Sequence, residues 1–240
     1  SWGRAIATTP DRQRILVGGD RGLLVALDAG GAVVQTFTGH TNAVWAVAVN
    51  ATTMVSAASD GTLKVHEIAR PEPTAEIPGS GRAIRELALL DDGASFLAVS
   101  DDGWVKRFSI GGQELQRYEG HLSGTTSLEL MPGGETFWTG GRDRILRQWR
   151  TETGEALQAV EGHESVINDI EFGAGTRQLA TACEDRRVRL FPVDASGTLG
   201  PAVLLDGHGK AVTAVGWVGD RLFSGSRDES VREWDAASGA

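Results

Sequence analysis

Four histidines follow a glycine in this chain, and each is followed at a nearly constant distance by a hydroxyl residue and then an aspartate. In the last copy these residues are His208, Ser224 and Asp228, the latter two within "SGSRDESVREWD". Serine, histidine and aspartate are the residue types of a nucleophilic catalytic triad. An enzyme needs one such site, whereas this pattern recurs, so the recurrence favours a structural role.

Other residues that could do chemistry do not form a convincing site. The five histidines are at least 26 residues apart, which does not fit the ligand spacing of a zinc site. The lone Cys183 lies in an apolar run and is expected to be a small core residue. A hydrolase that uses Asp101 and Glu184 is the least favoured alternative. No cofactor and no metal are expected.

Composition limits the classes of partner. The chain has 240 residues and a net charge of −9, which argues against general affinity for nucleic acid or for anionic lipid. A single cysteine excludes an intramolecular disulfide and predicts a reducing compartment, the cytoplasm. No apolar run is long enough to span a bilayer. Arginine greatly outnumbers lysine, which hints at a GC-rich, bacterial genome.

An internal repeat organises the chain. Five aspartates recur every 41 to 43 residues: Asp60, Asp102, Asp143, Asp185 and Asp228. Short apolar runs separated by Asp-Gly or Pro-Gly turns predict about four β-strands in each repeat. One such small sheet cannot bury both faces alone, so neighbouring sheets must stack, and radial stacking gives a propeller.

Two repeats, which contain "SGSRDESVREWD" and "WTGGRDRILRQWR", resemble WD40 repeats. The resemblance covers essentially the whole chain and implies an all-β propeller domain over residues 1–240. Its six repeats span approximately 1–38, 39–78, 79–119, 120–161, 162–206 and 207–240.

The resemblance also implies a buried hydrogen-bonded cluster of histidine, hydroxyl residue, aspartate and tryptophan in each well-formed repeat. It is complete in the fourth repeat (His121, Thr139, Asp143, Trp149) and in the sixth (His208, Ser224, Asp228, Trp234). The fifth keeps His163, Thr181 and Asp185 but has Phe191, and the second keeps His40, Ser56 and Asp60 but has His66. The third retains only Asp102, and the first has none of the four.

The predicted strands do not divide evenly among the repeats. Six copies of strands one to three are predicted, but only five outer strands, because the chain ends just after a third strand. We expect a piece of a larger propeller rather than a closed ring of six blades with one strand missing. The open strand edge predicts self-association, and a clean monomer in light scattering would count against that expectation.

The family resemblance places partner binding on one face. By alignment, the projecting positions on the innermost strands are Arg4, Trp45, Arg85, Thr126, Asn168 and Thr213. Those before the aspartate anchors are Asp20, Ser59, Asp101, Arg142, Glu184 and Arg227. We expect Trp45, Arg4, Arg85, Arg142, Arg227 and Asn168 to contact a partner, since Trp and Arg dominate interface hot spots. The arginines would suit an acidic peptide or a phosphate group. The alternative for Trp45 is a filler over the central channel.

Cations also recur four residues after each anchor, at Lys64, Lys106, Arg147, Arg189 and Arg232. Such a ring could contact nucleic acid, but WD40 repeats often carry a cation at this position, and the structural interpretation is preferred.

The sequence therefore predicts a non-catalytic platform that binds protein or peptide partners, without nucleic acid or membrane. The alternative is a regulatory or sensor domain that controls an attached effector domain.

Overall fold

A computed structural model describes residues 3–235, and these residues form 23 β-strands and one short 3-10 turn, Asp20–Gly22. The first twelve strands are β1 (Gly3–Thr8), β2 (Arg14–Gly19), β3 (Leu24–Asp28), β4 (Val33–Thr36), β5 (Val44–Val49), β6 (Thr53–Ala58), β7 (Thr62–Glu67), β8 (Ala75–Pro78), β9 (Ile84–Leu89), β10 (Ser95–Ser100), β11 (Val105–Ser109) and β12 (Glu114–Tyr118). The remaining strands are β13 (Thr125–Leu130), β14 (Thr136–Gly141), β15 (Leu146–Arg150), β16 (Ala156–Val160), β17 (Ile167–Gly173), β18 (Gln178–Cys183), β19 (Val188–Pro192), β20 (Val203–Leu205), β21 (Val212–Val218), β22 (Arg221–Ser226) and β23 (Val231–Asp235).

The strands form six antiparallel sheets, each made of strands that are consecutive in the chain. The first five sheets have four strands, and the sixth has three within the described residues. The all-β class and the six repeats are therefore confirmed, and the last sheet has the predicted three strands within residues 3–235.

The chain divides into two compact halves, an N-terminal half that ends at Glu119 and a C-terminal half that begins at Gly120. The N-terminal half holds the first three sheets, and the C-terminal half holds the last three. In each half the innermost strands of consecutive sheets contact one another: β1 with β5 and β5 with β9, then β13 with β17 and β17 with β21.

The hydrophobic cores lie between consecutive sheets. In the N-terminal half, Leu63 and Ile77 of the second sheet pack in one buried cluster with Phe96 of the third. In the C-terminal half, Leu190 of the fifth sheet shares a buried cluster with Trp234 of the sixth. Each sheet thus buries its apolar faces against its neighbours, as a stacked repeat requires.

Each innermost strand carries a β-bulge near its start. The pairing with the second strand of the same sheet skips one residue: Arg4, Trp45, Arg85, Thr126, Asn168 or Thr213. A bulge leaves the extra residue unpaired and changes the direction of its side chain. These six residues are the positions that the sequence alignment predicts to project from the innermost strands.

The outer edge of β23 differs from the corresponding edge in the other sheets. Val231 is 74% exposed, whereas its counterparts Leu63, Val105 and Val188 are fully buried. Those counterparts pair with an apolar residue of an outer strand, such as Ile77 opposite Leu63. Within the described residues no strand pairs with this edge of β23.

Candidate interaction surface

The hydrogen-bonded cluster of the fourth sheet contains four side chains that meet between the loop before β13 and strands β14 and β15. His121 Nδ1 lies 3.0 Å from Asp143 Oδ2, and Nε2 lies 2.8 Å from Thr139 Oγ1. Trp149 Nε1 donates to the same hydroxyl at 2.7 Å. Burial alone would raise the pKa of Asp143, but hydrogen bonding to His121 and the nearby Arg147 hold that pKa below its usual value. Every polar group of the cluster has a hydrogen-bond partner, so burying the cluster costs little free energy.

The sixth sheet repeats this geometry. His208 Nδ1 lies 3.0 Å from Asp228 Oδ2, and Nε2 lies 2.8 Å from Ser224 Oγ. Trp234 Nε1 donates to Ser224 at 2.7 Å. The pKa of Asp228 is lowered, first by the hydrogen bond from the Ser230 hydroxyl.

The second sheet keeps the triad but uses its fourth residue differently. His40 Nδ1 lies 3.0 Å from Asp60 Oδ2, and Nε2 lies 2.9 Å from Ser56 Oγ. His66, which occupies the tryptophan position, has its Nε2 3.2 Å from the carbonyl oxygen of Thr38, and its Nδ1 has no hydrogen-bond partner among the described residues. Burial lowers the pKa of both histidines.

The fifth sheet departs from the predicted cluster. His163 Nε2 is 2.8 Å from Thr181 Oγ1, but within the described residues its Nδ1 has no hydrogen-bond partner. Asp185 instead forms an ion pair with Arg189 at 2.7 Å. Burial, and then repulsion by Arg189, lower the pKa of His163 to about 4. Phe191 has no N–H to donate to Thr181, which accounts for the missing aromatic donor. An arginine on the aspartate does not by itself displace the histidine, because Arg147 pairs with Asp143 at 2.8 Å while His121 stays in contact.

The hydroxyl groups of all four clusters are inaccessible. Ser56, Thr139, Thr181 and Ser224 are at most 2% exposed. A nucleophile must reach its substrate, and these hydroxyls lie beneath the histidine and the aromatic residue. The geometry therefore favours the structural role of the repeated pattern.

On the N-terminal half, three bulge residues of consecutive sheets form one stacked group. The Trp45 ring has the guanidinium carbon of Arg4 4.4 Å from its centroid and that of Arg85 4.6 Å from it. Arg4 comes from the preceding sheet and Arg85 from the following sheet. Cation–π contacts of this kind hold the three side chains in a fixed arrangement.

Each member of this group is also tied to the residue that precedes the anchor position of its own sheet. Arg4 Nε donates to Asp20 at 2.6 Å, Arg85 Nη2 donates to Asp101 at 2.5 Å, and Trp45 Nε1 donates to Ser59. The six residues together carry no net charge, since each arginine has its own carboxylate. We call Arg4, Asp20, Trp45, Ser59, Arg85 and Asp101 the Trp45 surface.

On the C-terminal half, the bulge residues bond to the backbone. Thr126 Oγ1 donates to the carbonyl oxygen of Ile167, and Asn168 Nδ2 donates to the carbonyl oxygen of Val212 at 2.7 Å. Thr213 Oγ1 donates within its own sheet, to Gly225, at 3.2 Å. These side chains are therefore used to join strands.

Two predicted partner-binding arginines of the C-terminal half are exposed. Arg227 Nη2 lies 3.4 Å from Glu184 Oε1, a long ion pair at the surface. Arg142 is exposed in the turn after β14.

Most of the recurring third-strand cations have local carboxylate partners. The pairs are Lys64 with Glu76, Lys106 with Glu114, Arg147 with Asp143 and Arg189 with Asp185. Arg232 is exposed on β23. Charges that are paired within the fold offer little to a phosphate backbone.

A group of half-buried carboxyls in the C-terminal half was not predicted from the sequence. Glu129 on β13 accepts a hydrogen bond from the backbone N–H of Phe172 at 2.9 Å, and Asp169 on β17 accepts one from Val215 at 2.9 Å. Burial, and then the charge of nearby Glu171, raise the pKa of Glu129 to about 8. Burial also raises the pKa of Asp169 and of Glu171. The sequence did contain a signal for these carboxyls. Several other repeats have alanine at the equivalent inner-strand positions, for example in "AVWAVAV", so an acidic residue there is unusual.

The remaining candidates offer no reactive group. Cys183 is buried, and burial raises the pKa of its thiol to about 11. Over residues 3–235, no three His, Cys, Asp or Glu side chains are arranged to hold a metal ion. The same residues include no helix with the length and apolar character needed to cross a lipid bilayer.

Comparison with known proteins identifies the repeats. The family described as "WD domain, G-beta repeat" matches residues 31–67, 154–191 and 201–235. A solved structure, the computationally designed Ika8 protein, superposes with a TM-score of 0.83 and 26% identity, covering 100% of this chain and 73% of the designed one.

Curated relatives carry WD repeats as well. The ribosome biogenesis protein WDR12 homologs of Drosophila persimilis and Drosophila pseudoobscura pseudoobscura are each 26% identical over 208 residues, covering 82% of this chain and 42% of the relative. Protein groucho of Drosophila melanogaster is 28% identical over 108 residues, covering 44% of this chain and 15% of groucho. The chain thus spans less than half the length of these relatives. All three are eukaryotic and give no support to the bacterial source predicted from composition.

The repeat spacing, the six antiparallel sheets, the buried clusters and these matches agree with one another. The chain therefore contains WD40 repeats and is similar in sequence to WD-repeat proteins.

Proposed function

We propose that this chain is a non-catalytic platform that binds protein or peptide partners through the Trp45 surface. The observation that carries the proposal is the stacked group of Arg4, Trp45 and Arg85, which three consecutive bulges place side by side. Rigid Trp and Arg side chains lose little conformational entropy on binding and are the residue types enriched at hot spots.

The charge of this surface narrows the kind of partner. Arg4 and Arg85 are already paired with Asp20 and Asp101, so an acidic partner would have to share these guanidinium groups with existing carboxylates. We expect the edge of the Trp45 ring and the remaining N–H groups of the arginines to make the main contacts. An acidic peptide thus remains within the proposal. On the C-terminal half the exposed Arg142 and Arg227 are separate candidates for partner contact, whereas the amide of Asn168 is already bonded to Val212.

Several observations support the rest of the proposed description. Paired third-strand cations and a net charge of −9 disfavour nucleic acid. The buried hydroxyls disfavour catalysis. The exposed Val231 and the unpaired edge of β23 within the described residues favour self-association through an added strand. The single buried cysteine supports a reducing, cytoplasmic location.

The test is a pair of pull-downs from lysate of the source organism, with chemical cross-linking to retain weak partners. The baits are the wild type and a Trp45→Ala/Arg85→Ala variant, and both must first show equal melting temperatures. We expect the variant to recover at least about tenfold less of any specific partner, because hot-spot residues contribute about 2 kcal/mol or more each.

The matched control is Leu115→Ala/Arg117→Ala, which removes an exposed apolar residue and an exposed arginine from β12 of the same half. This control should recover partners like the wild type. Equal recovery by all three baits would contradict binding through the Trp45 surface. Empty lanes for all three baits would favour the regulatory alternative.

A further inference from the structure

A cleft of about 620 Å³ opens between the first two sheets of the N-terminal half. Its walls are the turn after β1, the start of β2, the turn between β5 and β6, and the end of β7. Arg4 and Trp45 lie near the starts of β1 and β5, whereas the cleft lies beyond the ends of these strands. It is therefore separate from the Trp45 surface, and its volume suits a small ligand or a few peptide residues.

The cleft contains an arginine that makes no direct ion pair among the described residues. Arg14 is half-buried, and its one hydrogen bond runs from Nη1 to the carbonyl oxygen of Ile68 at 3.4 Å. Within residues 3–235, no carboxylate lies within ion-pairing distance of Arg14. By contrast, the other partly buried arginines of this half, Arg85 and Arg107, have an aspartate at 2.5 Å and 3.6 Å.

A half-buried guanidinium without a direct ion pair can still form charge-assisted hydrogen bonds with a ligand. Its planar N–H groups match a carboxylate or a phosphate, and such charge-assisted pairs are stronger than neutral hydrogen bonds. Arg14 lines the cleft and uses only one of its N–H donors in a hydrogen bond within the described residues.

The rim selects between these anions. Asp11 and Glu67 line the cleft and bring two negative charges close to its entrance. The attraction of Arg14 contributes to a lowered pKa of Asp11, after the hydrogen bonds from Thr9 and Gln13, so Asp11 is ionised at neutral pH. Two rim carboxylates repel a phosphate dianion more strongly than a single carboxylate.

Apolar and hydroxyl groups complete the lining. Ile68 and Ala69 provide apolar contacts, and Thr52 and Thr53 provide hydroxyls. This combination suits the main chain and small side chains of a peptide. We propose that the cleft binds a carboxylate carried by a partner peptide, with Arg14 as the recognising group.

The experiment is a titration of the ¹⁵N-labelled chain, followed by amide chemical shifts, with four probes. Acetyl-Ala-Asp-Ala-amide carries a side-chain carboxylate, and acetyl-Ala-Ala-Ala with a free C-terminus carries a main-chain carboxylate. Acetyl-Ala-Asn-Ala-amide is the neutral control, and inorganic phosphate tests the alternative anion. We expect saturable shifts at Gln13, Thr52, Thr53 and Ala69 with at least one carboxylate peptide, and none with the neutral peptide. The active carboxylate peptide identifies the source of the carboxylate.

Arg14→Gln should weaken this binding about tenfold, as the loss of a charge-assisted pair predicts. Arg14→Lys, which keeps the charge without the planar fork, should weaken it less and covers the case in which Arg14→Gln does not fold. The control Arg12→Gln removes an exposed arginine two residues away and should bind like the wild type. Unchanged binding by both Arg14 variants, no shifts with either carboxylate peptide, or tighter binding of phosphate would each overturn the assignment. None of these results depends on Trp45, so this site and the Trp45 surface are tested separately.

Discussion

The two halves of the chain use the same repeat, yet they connect consecutive sheets by different chemistry. In the N-terminal half, Arg4 and Arg85 both stack on Trp45, near the starts of the inner strands. In the C-terminal half, Asn168 and Asp169 bond directly to the backbone of the next inner strand. The bulge that positions these residues is common to all six sheets, so the repeat preserves backbone geometry and leaves the side-chain chemistry free to vary. Side chains that stack remain available to a partner, whereas side chains bonded to backbone do not.

The turns before the third strands show a second difference. In every repeat the residue after the anchor position has a positive φ: Gly22, Gly61 and Gly103 in the N-terminal half, and Arg144, Arg186 and Glu229 in the C-terminal half. A Cβ at Gly22 would lie 2.0 Å from the carbonyl oxygen of His40, so glycine is required there by space as well as by φ. Close approach of the next loop thus explains a glycine that backbone conformation alone does not demand.

The largest expected effect concerns the hydrogen-bonded clusters. Asp143→Ala should lower the free energy of unfolding by about 1–3 kcal/mol, because it leaves His121 buried without a partner for Nδ1. The anchor of the third sheet, Asp102, is exposed and has no histidine to hold. Asp102→Ala should therefore change stability by less than about 0.5 kcal/mol. Urea unfolding of both variants measures the difference.

His121→Ala should cost about as much as Asp143→Ala, about 1–3 kcal/mol, since it breaks the same contacts. The double variant should cost less than the sum, because the two residues act on one another. Equal melting curves for the wild type and both single variants would refute the stabilising role of the cluster.

The next effect is a pH dependence specific to the C-terminal half. Burial raises the pKa of Glu129 from 4.5 to about 8, so the folded state retains a proton that the unfolded state releases. This contribution to stability is fully present below about pH 4.5 and is lost as the pH rises to about 8. Glu129→Gln should have little effect near pH 5 and should stabilise the protein by about 1–2 kcal/mol near pH 8.

Thermal unfolding of the wild type and Glu129→Gln at several pH values provides the measurement. Glu161→Gln replaces an exposed glutamate of the same half and should leave the pH profile unchanged. Parallel stability profiles for the wild type and Glu129→Gln would contradict this prediction, because they would show that folding does not raise the pKa of Glu129. Asp169 and Glu171 face the same region, so a residual slope is expected in the Glu129→Gln variant.

The sequence was sufficient to predict the sheets, because strand periodicity and turn residues are local signals. The projecting positions were read from alignment under the resemblance to WD40 repeats, and they coincide with the bulges of the inner strands. The partners of those positions depend on which strands meet in space. The stacking of Arg4 on Trp45 joins residues about forty positions apart, and no local pattern encodes it. Asp143 and Asp185 have the same spacing to an arginine and a histidine, yet only Asp143 contacts both, and spacing cannot decide this difference. Arg14 was not a candidate from the sequence, because the lack of a direct ion pair with a carboxylate is visible only in the structure.

The smallest expected effect tests the difference between the turns. Arg186 has a φ of 76° and an exposed side chain, so its Cβ is strained without a compensating contact. Arg186→Gly should raise the free energy of unfolding by up to about 1 kcal/mol, because relief of the strain exceeds the added entropy of the unfolded chain. Arg186→Ala is the matched control, since it removes the side chain beyond Cβ but keeps the strain, and it should be neutral. Equal stabilities of the glycine and alanine variants in urea unfolding would show that the Cβ strain is negligible. Glycine at position 22 would then be required only by the close approach of the His40 carbonyl oxygen.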